Sequence, residues 1–243
     1  MQKRKDITIP HNDLLPRIVN HLLLNGSLLD NLGVCHGKMG IVLFLYHYAQ
    51  LVNNGVIMEF ADELLNEVID EMHDDLPFDF ANGYSGIGWT IEYLLDNHFI
   101  EGDSNEILMD IDKKIMEWDV RRITRNDLLY GLEGILHYIV FRLYRCDTGV
   151  IFDNEYLESV YFIASKIIQQ NKENRISELA SKIQLWRDGE RIVYHPNDLM
   201  KRILMRTDEY DMEITDLDLG LKNGCVGKGL IVIFDEEKLL HNQ

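Results

Sequence analysis

A short pattern, Gly-x-x-Gly followed by an apolar run, constrains the fold of this chain more than any other feature. Its four copies begin at Gly37, Gly83, Gly131 and Gly224. A single copy would mean little in a chain that contains 17 glycines. Four copies in the same context indicate an internal repeat, and a repeat limits the fold to architectures built from stacked units.

The spacing of the copies supports a repeat with one missing signature. The first two steps between successive first glycines are 46 and 48 residues, whereas the last step is 93 residues, close to twice as long. One unit has therefore lost its glycines, near residues 177–180. A second apolar pattern starts 23 or 24 residues before each first glycine, at Leu14, Phe60, Ile107 and Met200.

Each unit combines an amphipathic helix, a loop, the Gly-x-x-Gly and an apolar helix, because the apolar residues recur at helical spacing. The sequence therefore predicts an all-α fold of about five helix-pair repeats with GxxG loops. We assign residues 1–10 to a flexible N-terminal arm and residues 11–243 to a single domain. The predicted repeats are about 11–55, 56–102, 103–150, 151–190 (without the glycines) and 191–243.

More detailed expectations concern single positions. Leu23, Ile69 and Ile168 are assigned, with their neighbours, to the inward faces of amphipathic helices. The run 41–52 is apolar nearly all round, which predicts a fully buried helix. Only Leu230–Phe234 has a β-prone composition. The first glycine of each loop is expected to have a positive φ, and the second to permit close packing of the helix start.

Composition limits the classes of partner. The chain has 24 basic and 41 acidic residues, a formal net charge of −17. Such a charge argues against nucleic acid and anionic membranes, and leaves basic peptides, neutral small molecules and other proteins. The sequence contains no run of eighteen apolar residues, so we predict no membrane insertion. The basic start has no apolar segment behind it, and three distant cysteines suit a reducing compartment, so we expect a cytoplasmic protein.

One polar residue immediately precedes the first glycine of each loop. These residues are His36, Asn82, Tyr130 and Asn223. If the loops converge, the four side chains lie at one mouth beside helix N-termini, whose free N–H groups carry partial positive charge. We predict that they bind a ligand, most simply a peptide backbone. The alternative is that each residue only stabilises its own loop.

The loops resemble those of a known family. Gly83-Tyr-Ser-Gly-Ile-Gly-Trp and Gly131-Leu-Glu-Gly-Ile-Leu are similar to the recurrent loop of the lanthionine synthetase C-like family, and the resemblance covers roughly residues 12–235. It implies an α/α toroid or partial toroid. The cyclases of that family add a cysteine thiol to a dehydrated serine or threonine of a peptide, using a zinc ion held by two cysteines and a histidine.

The zinc ligands of the family carry over only in part. Cys35-His36-Gly37 matches the Cys-His-Gly motif, although it stands in the first repeat and the cyclases have it late in the chain. A second motif places a cysteine two residues before the first glycine, where the other loops have Ala81, Leu129 and Lys222. Cys225 does not match, and is a third candidate ligand only if the first and last repeats meet. We therefore assign no metal site, and zinc at Cys35 and His36 remains the alternative.

The resemblance and the missing ligands together predict an accessory protein of this family without catalytic function. It would bind a peptide substrate or partner protein in bacterial peptide maturation or export. One alternative is an active zinc-dependent peptide cyclase that forms thioether links. Another is a carbohydrate-active α/α toroid in which Asp79 and Asp127, at equal offsets before their glycines, act as paired carboxylates rather than loop caps. No catalytic residue is identified.

Overall fold

The computed structural model describes residues 14–146, 151–170, 174–204 and 218–241. Within these ranges every regular element is helical and no strand occurs. None of the described helices is both long and apolar enough to span a membrane. The α-helices are α1 Leu14–Asn25, α2 Lys38–Val52, α3 Gly55–Glu71, α4 Tyr84–Asp96, α5 Ser104–Ile107, α6 Met109–Met116, α7 Leu132–Arg145, α8 Asn154–Gln169, α9 Arg175–Arg187, α10 Pro196–Leu204 and α11 Cys225–His241. Short 3₁₀ turns occupy Gly26–Leu28 and Val120–Arg122.

The helices form an inner and an outer set. The inner helices α2, α4 and α7 are buried over almost their whole length, as their all-round apolar sequences predict. Along the inner set, α11 packs on α2, α2 on α4, α4 on α7, and α7 on α9. The outer helices α3, α6, α8 and α10 pack on α2, α4, α9 and α11, respectively. The predicted all-α fold of the α/α toroid type, with paired helices and GxxG loops, is confirmed.

Two features of this arrangement matter for the site. Helix α11 packs against α2, so the first and last repeats meet. Helix α9 takes the inner position next to α7 although its unit lacks the glycines, and the Asn174 side chain caps it through the N–H of Ser177. The single domain and the boundaries of its repeats remain predictions, and the predicted arm, residues 1–10, lies outside the described residues.

Some single-position expectations are wrong. Leu23, Ile69 and Ile168 are 37–39% exposed. Each directly follows a buried residue, and one step along a helix turns the side chain by about 100°, which carries these three past the edge of the core. Leu230–Phe234 belongs to α11, because packing of the helix against α2 and α10 overrides local β propensity.

The predicted positive φ of the first glycines is also wrong. Gly37, Gly83 and Gly131 have φ of −133°, −126° and −128°, which is extended backbone. Glycine is required for a different reason. In all four loops the residue after the glycine donates its N–H to a carbonyl seven residues earlier, at 2.8–2.9 Å. In the second loop, Tyr84 donates to Pro77, and a Cβ on Gly83 would lie 1.8 Å from that Pro77 oxygen.

The second glycines permit the close packing that the sequence predicts. A Cβ on Gly40, Gly86 or Gly134 would approach the carbonyl oxygen six residues earlier to 2.3, 1.9 and 2.2 Å. The neighbouring loop adds a second contact, because the same Cβ on Gly134 would lie 2.6 Å from the Cβ of Phe80. Both glycines of a loop therefore make room for backbone of the same loop, and the second glycine also makes room for the loop beside it.

These contacts predict that Gly83→Ala lowers the free energy of unfolding by about 2 kcal/mol or more, because the added methyl group overlaps a hydrogen-bonded carbonyl. Gly55→Ala is the matched control, since a Cβ at Gly55, in the first turn of α3, meets nothing within 4 Å. We expect the control to be neutral or slightly stabilising. Denaturant unfolding followed by circular dichroism measures both, and equal midpoints would contradict the overlap.

Candidate functional site

The four Gly-x-x-Gly loops lie side by side at one end of the inner helices. A series of backbone hydrogen bonds, each 2.9 Å, joins them through the residue two positions before each first glycine. Lys222 donates to Cys35, Cys35 donates to Ala81, and Ala81 donates to Leu129. The last repeat is thus joined to the first, the first to the second and the second to the third.

Each predicted site residue comes directly after one member of this hydrogen-bonded series. All four, His36, Asn82, Tyr130 and Asn223, are half-buried. The backbone at His36 lies so close to Gly220 of the last loop that a Cβ on that glycine would be 2.8 Å from the His36 Cα. Gly33 is placed in the same way against Asn82, at 2.2 Å, and the Asn31 amide donates to Asn82 Oδ1 at 3.1 Å. The structure therefore brings the loops together, but among the described residues no hydrogen bond joins any two of the four predicted side chains.

The four positions differ in their surroundings. Asn223 has a φ of 59°, and its Oδ1 is buried without a hydrogen-bond partner among the described residues. Tyr130 packs under the Arg125 guanidinium, whose central carbon lies 5.1 Å from the ring centroid. Burial lowers the pKa of His36, and the positive charge of Lys222 lowers it further, against a smaller opposite effect of Asp218. Equivalence in sequence does not make these four residues equivalent in chemistry.

A cavity of about 640 Å³ opens beside Tyr130. We call it the aromatic cleft, after Phe78, Trp118 and Tyr130 in its lining. The Phe78 and Trp118 rings are 4.1 Å apart between centroids, and Trp118 remains 45% exposed. Acidic and basic side chains both line the cleft. Its size and its exposed aromatic surface suit a segment of peptide.

Asp79 and Asp127 cap their own loops. Asp79 Oδ1 accepts the N–H of Asn82 at 2.8 Å, and Asp127 Oδ1 accepts the N–H of Tyr130 at 2.9 Å. Burial raises the pKa of Asp79. Burial acts in the same direction on Asp127, but the Tyr130 N–H and the Arg125 guanidinium outweigh it and lower the pKa of Asp127. Both carboxylates therefore make the contacts of loop caps, which is the alternative to a pair of catalytic carboxylates.

The residues around Cys35 do not fit the zinc site that the family resemblance implies. That site needs two thiolates and a histidine. Cys35 is fully buried, and burial raises the pKa of its thiol to about 12. Its neighbours in the backbone series are Ala81 on one side and Lys222 on the other, an alanine and a cation. No group of three or more His, Cys, Asp or Glu side chains in the described part of the chain could hold a metal ion.

A buried charge cluster was missed by the sequence analysis. Arg142 donates to Glu92 at 2.9 Å and to Asp112 at 2.7 Å, and the Tyr138 hydroxyl donates to Asp112 at 2.6 Å. It ties α4, α6 and α7 together near the helix ends opposite the loops. The sequence contained a signal for this cluster, which is Arg142 within the apolar sequence of α7. A charged residue inside a buried helix usually has a buried partner.

Thiol chemistry offers a test of the site geometry. None of the three cysteines forms a disulfide; Cys35 and Cys225 are buried and Cys146 is partly exposed. Because the thiolate is the reactive form, we expect a maleimide at pH 8 to modify native protein at Cys146 alone. Cys146→Ser should then abolish labelling until denaturant exposes the other two. Rapid native labelling at Cys35, located by peptide mass mapping, would contradict its burial.

Comparison with known proteins places the first three Gly-x-x-Gly loops in a family. A family model with the description lanthionine synthetase C-like protein matches residues 35–185, more than half of the chain. The match runs from Cys35 into the last turn of α9. No curated protein matches the chain.

Proposed function

Because the chain belongs to the lanthionine synthetase C-like family, we propose that it is a catalytically degenerate member that binds a peptide. The peptide occupies the end of the toroid where the loops meet, and the protein acts as an accessory in bacterial peptide maturation or export. The matched segment contains the first three Gly-x-x-Gly loops and Cys35-His36-Gly37, which supports this proposal.

The observation that carries the proposal is the identity of the two residues beside Cys35, which are Ala81 and Lys222. The backbone series puts the positions that precede the first glycines by two residues directly next to one another, and only one of the four holds a thiol. Lys222 stands in an adjacent position, where its ammonium group opposes a metal cation. Burial raises the pKa of the Cys35 thiol to about 12, which also makes it a poor nucleophile.

Peptide binding is supported by the aromatic cleft. Trp118 and Tyr130 offer rigid apolar surface with a polar edge, the type of residue that contributes most at peptide and protein interfaces. Arg122, Arg125 and Glu117 in the same lining can bind polar groups of a bound chain. The acidity of the whole protein favours a peptide with basic residues, since opposite charges increase the rate of encounter.

Binding can be measured by fluorescence anisotropy with short labelled peptides rich in Cys, Ser and Thr. We expect Trp118→Ala and Tyr130→Ala each to weaken binding about tenfold, the range for an aromatic anchor. Phe162→Ala, on α8 and 59% exposed, is the matched control and should bind like the unmodified protein. Asn82→Ala is less informative, because it also removes the hydrogen bond from Asn31.

The melting temperature of each variant separates a binding role from a structural one. A loss of affinity at an unchanged melting temperature supports the cleft. Equal affinity in all variants, or parallel losses of affinity and stability, would contradict it.

Loss of catalysis has its own test. A peptide with one dehydroalanine and one cysteine is incubated with the protein and zinc. Any remaining cysteine thiol is then alkylated, and mass spectrometry measures the fraction of peptide that carries the alkyl group. We expect the thiol to survive, and the purified protein to carry no stoichiometric zinc. Thiol consumption together with one zinc per chain, both abolished by Cys35→Ala, would instead establish the cyclase. Asp79 and Asp127 act as loop caps, so no observation favours the carbohydrate alternative.

A further inference from the structure

The unit without glycines has a cavity at its inner helix. This cavity, of about 620 Å³, lies between the starts of α7 and α9, the second half of α8 and the end of α10. We call it the cationic cavity. We propose that it binds an anionic ligand through carboxylate or phosphate groups. This inference does not depend on the proposed peptide function.

The charge of the lining is opposite to that of the protein. Four basic residues and one acidic residue, Glu133, line the cavity in the described part of the chain, whereas the whole chain has a net charge of −17. The basic residues are Arg121, Lys166, Arg175 and Arg202. Lys166 and Arg175 are exposed, and neither forms an ion pair with another described residue. Such a local excess of positive charge raises the concentration of anions at this site.

The wall beside Glu133 presents hydrogen-bond donors. Arg202 Nη1 pairs with Glu133, but Arg202 Nε is buried without a partner among the described residues. A ligand oxygen within reach would satisfy this donor, which otherwise bears a desolvation cost.

The lining has little negative charge to compete for this donor. Its one acidic side chain in the described part of the chain, Glu133, is already paired with Arg202 Nη1. A buried donor without a partner, beside several basic side chains, is an arrangement that an anion satisfies.

The start of α9 contributes a further favourable field. This helix has 13 residues, and its first residues, Arg175 and Ile176, line the cavity. The N-terminus of a helix carries partial positive charge, which adds to that of the basic side chains. The volume accepts a few peptide residues or a small phosphorylated molecule. Ile123 and Thr124 line both this cavity and the aromatic cleft, so one loop separates the two.

The test uses the full chain and two anionic probes, an oligoglutamate peptide and inorganic pyrophosphate, with oligolysine as the opposite charge. Affinity is measured by isothermal titration calorimetry near 0.15 M salt, where distant charges are screened over about 8 Å. Lys166→Gln and Arg175→Gln remove exposed charges from the lining. Lys201→Gln is the matched control, because it changes the net charge by the same amount. Lys201 is exposed on α10 and does not line the cavity.

We expect an anionic probe to bind, and Lys166→Gln and Arg175→Gln each to weaken it about tenfold, the usual effect of one charged hydrogen bond. Lys201→Gln should leave the affinity unchanged, and all variants should keep the same melting temperature. Binding of oligoglutamate alone identifies a carboxylate ligand, and binding of pyrophosphate alone a phosphate ligand. Absence of binding by both anions, or an equal loss in Lys201→Gln, would overturn the proposal.

Discussion

The hydrogen bond that folds each loop back on its own first glycine is the contact on which this structure depends. It holds a carbonyl oxygen where the Cβ of any other residue would lie, as Gly83 and Pro77 show. The loop can then turn into a helix without a positive φ. Because four units make the same contact, their loops adopt the same conformation and can lie side by side. The helices α2, α4, α7 and α11 follow from this, since each begins directly after its glycine.

The second level of order joins one loop to the next, and it uses backbone atoms only. The residues two positions before the glycines donate and accept through N–H and C=O groups, so their side chains can change without loss of the contact. The series includes Cys35, Ala81, Leu129 and Lys222, four chemically different residues. This independence explains how one fold accommodates a thiol, a methyl group, an isobutyl group and an ammonium group at equivalent positions.

The pairing of charged side chains differs between two regions of the molecule. The buried Arg142 is fully paired with Glu92 and Asp112, and it fixes the ends of the helices opposite the loops. The cationic cavity differs in part. Two of its basic side chains, Arg121 and Arg202, are paired with carboxylates, whereas Lys166 and Arg175 are exposed and have no ion pair to a described residue. Paired charge at one place and unpaired charge at the other are what distinguish a structural cluster from a site that can bind.

The sequence by itself determined the repeat, the helical class and the buried inner helices, because glycine spacing and apolar periodicity are local properties of the chain. It also located the loops that form the candidate site, and the missing glycines of the fourth unit. Only the tertiary structure decided why glycine is needed, since a carbonyl seven residues away in the chain is a contact in space. It alone placed Lys222 beside Cys35 and gathered the basic residues of α8, α9 and α10 around one cavity. Partners that lie far apart in the chain leave no periodic signal, and their proximity exists only after the helices pack.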